Sequence, residues 1–384
     1  MTKRLGGAGL PLDLSGAVWG TVSTFLQVGG EAWKVEITTF RREVTYVGRH
    51  PVVYWADTIE EDLARRDFTV NAMAFSLQRG LIDPFGGKED LKRGVVRAVG
   101  EPRERFAEDP LRVVRALRFA ARYGWALEAR TQEGMREAVP LVLERVSTPR
   151  LGVEIEKGLM APRPGEFLRG LHEFGLFYPI FPEFVGPHGP AHALLQNPHH
   201  HPEGDVLTHT FQVVGRAREL GADALGAWAA LLHDVGKPAT ASPTPEGWYR
   251  FFGHEEVGAN LVEGIARRFG FSRAWEEAVR TAVRLHMRPL QPATPRAVRR
   301  FQAEAGEHLR LLEVVCRADG EGRREDLDPW FAPLEVPVRP LVMGRDLLAL
   351  GFSPGPEVGR LLREAHHLQL ECGLSSKEEV LEAL

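Results

Sequence analysis

The sequence predicts an α+β fold, in which a strand-rich start gives way to a mostly helical body. Two β-rich runs, residues 18–27 and 34–40, flank Gly29-Gly30, a pair suited to a hairpin turn. Beyond residue 100, apolar residues recur at helical spacing, as in Phe106, Leu111, Val114, Leu117 and Phe119. Eight of the fourteen histidines crowd between His188 and His254, a chemically distinct stretch within the helical part.

Taken in order, residues 1–46 read as strands, and Glu36 lies mid-strand between Val35 and Ile37. That setting fits either a carboxylate facing a metal or the ordinary alternation of a half-buried sheet. The rest of the chain is organised around residues 62–75, Asp62-Leu63-Ala64-Arg65-Arg66-Asp67-Phe68-Thr69-Val70-Asn71-Ala72-Met73-Ala74-Phe75. Val70, Met73, Ala74 and Leu77 have helical spacing, so a helix is expected to start near Thr69. Arg65, Arg66 and Asp67 would then stand at its N-terminus, where exposed N–H groups and two guanidinium forks suit a triphosphate. The same residues also fit a capped surface helix with solvated charges.

Residues 100–190 read as helices. Arg112, Arg115, Arg118 and Arg122 follow spacings of three and four, which gives the helix over residues 105–123 one basic side. Thr148 before Pro149 marks a capped helix start within residues 141–159. Gly186-Pro187-His188-Gly189-Pro190 has the composition of a linker. Beyond it come His201-Pro202-Glu203-Gly204-Asp205, His209, His233-Asp234-Val235-Gly236-Lys237, His254, His286 and Asp319. Residues 320–343 are proline-rich and acidic and read as an irregular passage. Gly344-Arg345-Asp346 then opens a small helical tail.

Composition narrows the class. At 384 residues the chain has room for two or three domains. Its 43% hydrophobic and 26% charged content is ordinary for a globular protein. No apolar run approaches the roughly 18 residues that span a bilayer, and no signal peptide opens the chain, so no membrane partner is expected. Two cysteines, Cys316 and Cys372, argue against a disulfide framework and fit a reducing cytoplasm. A net charge of -4 excludes a uniformly basic surface, so a nucleic-acid partner needs a local patch. Residues 88–130 provide one, with eleven Lys/Arg against seven Asp/Glu.

Residues 65–74, Arg-Arg-Asp-Phe-Thr-Val-Asn-Ala-Met-Ala, resemble the ribose- and triphosphate-reading motif of the bacterial tRNA nucleotidyltransferase (CCA-adding) and poly(A) polymerase family. Ile82-Asp83-Pro84-Phe85-Gly86-Gly87 and residues 108–119, which begin Glu-Asp-Pro-Leu-Arg, come next at the family's spacing. Gly20-Thr21-Val22 and Thr38-Thr39-Phe40-Arg41 match the hairpin of its head. The resemblance covers essentially the whole chain. It implies that Arg65, Arg66, Asp67, Asn71, Glu108, Asp109, Arg112 and Arg115 bind the incoming nucleotide, with Asp67 at the ribose. It also implies that Asp109 and Arg112 read the base edge, the carboxylate accepting from an exocyclic amino group while the guanidinium donates to ring acceptors.

The chain departs from the family at its start. The Gly-Gly-x-Val-Arg-Asp turn and the Asp-x-Asp strand that hold the triphosphate and the catalytic Mg2+ ions do not occur upstream of Gly20. The usual carboxylates would have to come from an earlier start or another polypeptide, or else the transferase activity is lost. This chain is therefore expected to add nucleotides poorly unless other carboxylates, Glu36 among them, serve.

The adjacent His-Asp, with one histidine about two dozen residues before it and an aspartate far after it, resembles an HD-superfamily metal site. His209, His233, Asp234 and Asp319 match its four ligands, a mixed N/O set suited to Ni2+, Mn2+ or Mg2+. The resemblance implies phosphate-ester hydrolysis there, with Lys237 on a phosphate and with His254 and His286 on a second metal or the substrate. The expected organisation is a nucleotidyltransferase head with a mixed sheet (1–99), a helical neck (100–187), an HD domain (188–325) and a helical tail (326–384). The implied function is CCA addition or repair at the tRNA acceptor 3' end from CTP and ATP, with RNA rather than DNA as partner. The alternatives are an HD phosphohydrolase with a vestigial head, a poly(A) polymerase, or an enzyme that adds only CC or only A.

Overall fold

The computed structural model describes residues 11–47, 50–320, 324–334 and 337–384. Its contacts divide the chain into two compact units, Met1–Leu141 and Val142–Leu384. Among the described residues no helix is long and apolar enough to cross a membrane.

The first unit carries most of the strands, in separate small sheets with both antiparallel and parallel pairings. Thr21–Val28 and Glu31–Thr38 pair antiparallel from Thr21↔Thr38 to Val28↔Glu31, and Leu12–Asp13 adds a short third strand. Gly29 and Gly30 turn this hairpin at φ 62° and 88°, the left-handed pair that a two-residue turn demands. Arg41–Val47 pairs with His50–Trp55 in a second hairpin. The helix Ile59–Ala64 comes next, with the Thr58 side chain accepting from the Glu61 N–H at its start.

The helix expected near Thr69 is not there. Thr69–Asn71 forms one 3-10 turn, and Ala74–Ser76 then pairs with Gly80–Ile82 as a hairpin. The backbone of this stretch is already engaged: Thr69 donates to the Arg97 carbonyl at 2.9 Å, and Val99 donates to that of Asp67 at 3.1 Å. Leu77, one of the four residues at helical spacing, is 98% exposed and has no face to bury. Arg65, Arg66 and Asp67 thus follow the C-terminal end of Ile59–Ala64 rather than opening a helix.

The helix expected over residues 105–123 is two helices, Pro102–Glu108 and Leu111–Tyr123. Asp109 between them is extended at φ −142°, ψ 96°, because Pro110 crowds the α conformation of the residue before it. Its basic side is not uniform either, since Arg118 is buried against Phe119, with its guanidinium carbon 4.7 Å from the ring centroid. Phe68, fully buried, meets the edge of Phe119 at 5.5 Å and ties this helix to the Asp67–Thr69 segment.

The second unit is mostly helical, with two short hairpins. At its centre lies Ala224–Leu232, whose residues from Gly226 onward are all buried. A helix apolar all round has no solvent face, so it runs through the core and delivers the next two residues, His233 and Asp234, into the interior. Asp223 caps its start by accepting from the Gly226 N–H at 2.8 Å. Val206–Glu219, Arg273–Leu285 and Leu309–Asp319 pack against this central helix. Trp228 anchors the layer among Phe181, Phe269, Phe271 and Trp275.

Two stretches, one read as irregular and one as a linker, hold regular elements among their described residues. Within residues 320–343, Arg324–Phe331 is a helix, with Trp330 buried edge-on against Phe301 at 5.2 Å. The stretch with linker composition is a tight hairpin, Val185–Gly186 paired with Gly189–Pro190. A side chain at Gly186 would overlap the Pro238 carbonyl, next to Lys237. Gly186→Ala is therefore expected to lower stability by roughly 1–3 kcal/mol through overpacking, as read from a denaturant unfolding curve. An unchanged midpoint would contradict this close approach.

Thr148–Leu159 is a helix, but Ser147 holds the N-cap position and no side chain caps it. The tail keeps a small core of its own, with Val342, Leu347, Val358, Ala365 and Val380 buried together.

Candidate functional site

In the first unit, Asp67 and Arg115 meet although 48 positions apart. Arg115 donates to Asp67 Oδ2 from Nε at 2.9 Å and from Nη2 at 2.5 Å. Asp67 Oδ1 accepts from the Phe68 N–H at 2.9 Å and from Asn71 Nδ2 at 3.0 Å. Burial pushes this carboxyl up, but the Arg115 charge and the Asn71 and Phe68 donors outweigh it and hold the group below the usual carboxylate range.

The neighbouring arginines are engaged unequally. Arg65 is tied to Asp62 Oδ1 at 2.6 Å and to the Arg41 carbonyl at 2.8 Å. Arg66 makes only longer contacts, to Asp62 Oδ2 at 3.3 Å and to the Asn71 carbonyl at 3.5 Å, and its side chain is half exposed. Arg112 spans Glu108 Oε2 at 2.8 Å and the Arg65 carbonyl at 3.0 Å, which fastens the second motif to the first. Glu108 is exposed, and Asp109 accepts from the Leu111 N–H at 3.3 Å. The arrangement offers a fixed carboxylate and a partly exposed guanidinium beside each other, a pairing suited to ribose and phosphate.

Glu36 lies elsewhere in character. It faces Ser23 across the hairpin, is 56% exposed at its side chain, and pairs with Lys34 Nζ at 2.7 Å. Among the described residues it belongs to none of the groups whose atoms lie close enough to share a cation. As placed, Glu36 does not fit a two-metal carboxylate site.

In the second unit, all six histidine and aspartate candidates converge. His209 Nε2 lies 3.0 Å from Asp319 Oδ1 and 3.4 Å from His233 Nε2. Asp234 stands between two sets of ligands. Its Oδ2 is 3.1 Å from His233 Nε2, while its Oδ1 is 3.1 Å from His254 Nε2 and 3.6 Å from His286 Nε2. His254 and His286 face each other through Nε2 at 3.3 Å.

The tautomers follow from the other ring nitrogens. Nδ1 of His233, His254 and His286 reaches the carbonyls of Ala230, Phe251 and Val283 at 2.8, 2.7 and 2.6 Å. His209 Nδ1 reaches Glu203 Oε1 at 2.5 Å. Each Nδ1–H donates, so in the neutral rings each Nε2 carries a lone pair, and two such lone pairs at 3.3–3.4 Å repel unless a cation or a proton sits between them. Asp234 Oδ2 is buried and makes no hydrogen bond of good geometry, although Lys237 Nζ is 2.6 Å away. These donors fit a divalent cation, and the closeness of a second His/Asp group fits two.

Burial pushes the Asp234 and Asp319 carboxyls up, but without an ion, protonated imidazoles facing both, with Lys237 beside Asp234, hold them well below the usual range. Lys237 Nζ also donates to Gln196 Oε1 at 2.7 Å.

Sequence reasoning gave no role to Glu203, Gln196 or His201. Glu203 accepts from both His209 and His201, the latter at 3.0 Å, and these contacts outweigh burial to bring its carboxyl to about 2. Its stretch stood out in the sequence, but no spacing rule carries a carboxylate six residues back onto a helical histidine. Gly236 also matters, because a side chain there would overlap the His254 carbonyl. The Gly in His-Asp-Val-Gly-Lys thus lets the two halves of the centre approach.

Comparison with known proteins bears on both units. Residues 17–97 match the family described as "Poly A polymerase head domain", residues 124–185 the "Probable RNA and SrmB- binding site of polymerase A", and residues 206–321 the "HD domain". The chain is 34% identical to an A-adding tRNA nucleotidyltransferase of Deinococcus radiodurans, over 94% of this chain and 82% of that protein. It is 35% identical to a multifunctional CCA protein of Halorhodospira halophila, over 84% of this chain and 79% of the relative. The fold matches the Bacillus stearothermophilus CCA-adding enzyme solved in complex with CTP, with TM-score 0.68, 24% identity, and 97% of this chain and 84% of the other covered. With a head, an RNA-binding region and an HD domain in that order, and with relatives matched over most of their length, the chain belongs to the tRNA nucleotidyltransferase and poly(A) polymerase family.

Proposed function

We propose that this chain acts in CCA addition or repair at the tRNA acceptor 3' end, with CTP and ATP as substrates. The observation that carries the reading is the convergence of Asp67, Asn71 and Arg115 beside Arg66 and Arg112. Asp67, kept ionised, fixes the Arg115 fork and suits a ribose hydroxyl. Arg66 has the freedom to turn toward phosphate, and Asp109 with Arg112 supplies the donor and acceptor that C and A require. The relatives' names favour this reading over a poly(A) polymerase or a hydrolase with a vestigial head. The Mg2+ expected for transfer has no fitting carboxylate set at Glu36, so no step is assigned through it.

Nucleotide binding tests the reading apart from turnover. The chain is expected to bind CTP and ATP more tightly than UTP and GTP in calorimetric titrations. Arg66→Ala should cost roughly 1.5–3 kcal/mol with either triphosphate, the worth of a charge-assisted contact. Equal affinity for all four triphosphates would sink the base-reading role of Asp109 and Arg112.

The HD centre supports a second activity, hydrolysis of phosphate esters, with 2',3'-cyclic nucleotides as the expected substrates. His209, His233, Asp234 and Asp319 would hold one ion, and Asp234, His254 and His286 another, from among Ni2+, Mn2+ and Mg2+. Such an ion supplies positive charge to a phosphate and acidifies water. Glu203 and the three backbone carbonyls hold the imidazoles in the ligating tautomer, and Lys237 adds a cation at the cavity wall. Release of inorganic phosphate or opening of a cyclic ester by the ion-loaded chain tests it. Failure on both substrate types with all three ions would leave the centre a scaffold.

A further inference from the structure

Within the second unit, the helix Pro295–Ala305 packs against the tail helix Pro356–Cys372. Arg299 fastens the pair, donating to the Leu370 and Glu371 carbonyls at 2.7 and 3.0 Å. Both helices line a cavity of about 540 Å³, within the roughly 300–1,000 Å³ typical of small-molecule sites. Its described walls hold none of the HD-centre ligands.

Three arginines from three elements reach this cavity: Arg288 from the 3-10 turn Arg288–Leu290, Arg300 from the first helix, and Arg363 from the second. His366 and His367 follow Arg363 at spacings of three and four, so they share its helix face and line the same wall. Glu304 is the one carboxylate among the lining residues.

The guanidiniums are poorly matched by carboxylates. Glu304 lies 3.0 Å from Arg284 but 3.5 Å from Arg288, so Arg288 is its second partner. Glu371 takes Arg296 more closely than Arg300, which stands at 3.3 Å. Arg363 is exposed and makes no hydrogen bond or ion pair among the described residues. Trp330 is buried in the same wall, and its indole N–H meets no acceptor among the described residues. Cations gathered with too few carboxylates repel one another, and an anion between them relieves that repulsion.

We propose that this cavity binds a small free phosphate anion, inorganic phosphate or pyrophosphate, through Arg288, Arg300 and Arg363. Guanidinium forks match phosphate oxygens, and pyrophosphate offers two such groups to three forks. An RNA backbone fits less well, because Glu304 and Glu371 interrupt the arginines where a strand needs a continuous positive groove. Nucleotidyl transfer from a triphosphate leaves pyrophosphate, so the reaction of the family provides such an anion. Held between the two helices, it ties the tail helix to the body of the unit.

Hydrogen exchange reads the site locally, which matters because the head and the HD centre also attract phosphate. The full 384-residue chain, free of divalent ions, is titrated with phosphate and with pyrophosphate at constant ionic strength. Saturable slowing of exchange is expected in residues 295–305 and 356–372, with pyrophosphate acting at the lower concentration. Arg300→Ala and Arg363→Ala should each raise the half-saturating concentration by about tenfold, the loss of one charge-assisted contact. Arg66→Ala, in the other unit, should leave it unchanged. No slowing in these helices with either anion, or slowing that survives both alanine substitutions, overturns the proposal. A single-stranded RNA that displaces pyrophosphate at matched phosphate concentration overturns the free-anion assignment, and RNA without effect supports it.

Discussion

Asp234→Ala is expected to abolish ion binding at the HD centre and with it all ester hydrolysis. The expectation comes from position, because one oxygen of Asp234 faces His233 while the other faces His254 and His286. Losing it removes the carboxylate that both sets share and leaves the buried Lys237 without its counter-ion. Perturbing a residue that merely orients a ligand typically costs about 10–100-fold in metal affinity, so loss of the shared ligand should exceed that range. Metal content after dialysis and hydrolysis of a cyclic ester are the measurements, with CTP binding as the control on folding. Stoichiometric ion retention would show that the histidines suffice.

The same centre should release its ion as pH falls below about 6, because imidazoles must be neutral to ligate. Glu203, brought to about 2, stays ionised throughout that range, so the release reports imidazole protonation rather than loss of the carboxylate that orients His209.

Asp67→Ala carries the second large effect. Removing one partner of a buried ion pair leaves the other uncompensated, which typically costs about 3–5 kcal/mol. Arg115 is partly exposed, so the lower end, roughly 3 kcal/mol, is expected here. CTP binding should disappear with it. The pH dependence has a definite sign. The Asp67 carboxyl lies below its ordinary value in the folded chain, so its contribution is present above about pH 4 and is lost as pH falls through the folded value. Wild type and Asp67→Asn should therefore converge in stability on acidification. A constant gap down to about pH 2 would show that the pair does not titrate with folding.

The chemistry of both sites was more legible in the sequence than the backbone that presents it. His209, His233, Asp234, Asp319, His254 and His286 could be named because their order along the chain resembles an HD-superfamily site, and the structure brings their atoms together. The helix expected at Thr69 failed because periodicity registers side chains only. It cannot see that the backbone of Asp67 and Thr69 is claimed by Arg97 and Val99, some thirty residues away. The break at Asp109 was available in principle, since Pro110 comes directly after it, but regular apolar spacing on either side masked it. Gln196 acts through a hydrogen bond to a lysine 41 positions away, and Glu203 through one from a loop onto a helical histidine, and no local spacing pattern encodes either.

The hairpin at Val185–Gly186 has a bearing on how far the chain is modular. A composition-based boundary between residues 187 and 188 runs through its turn. An excised fragment that begins at His188 would keep Gly189–Pro190 but lose their partner strand, and with it the backbone wedged against Pro238. That wedge backs the short helix Lys237–Thr240, whose first residue is the lysine that contacts Asp234. The HD centre therefore borrows part of its rear wall from the segment assigned to the neck, and a cleanly separable cassette would have to begin upstream of Val185.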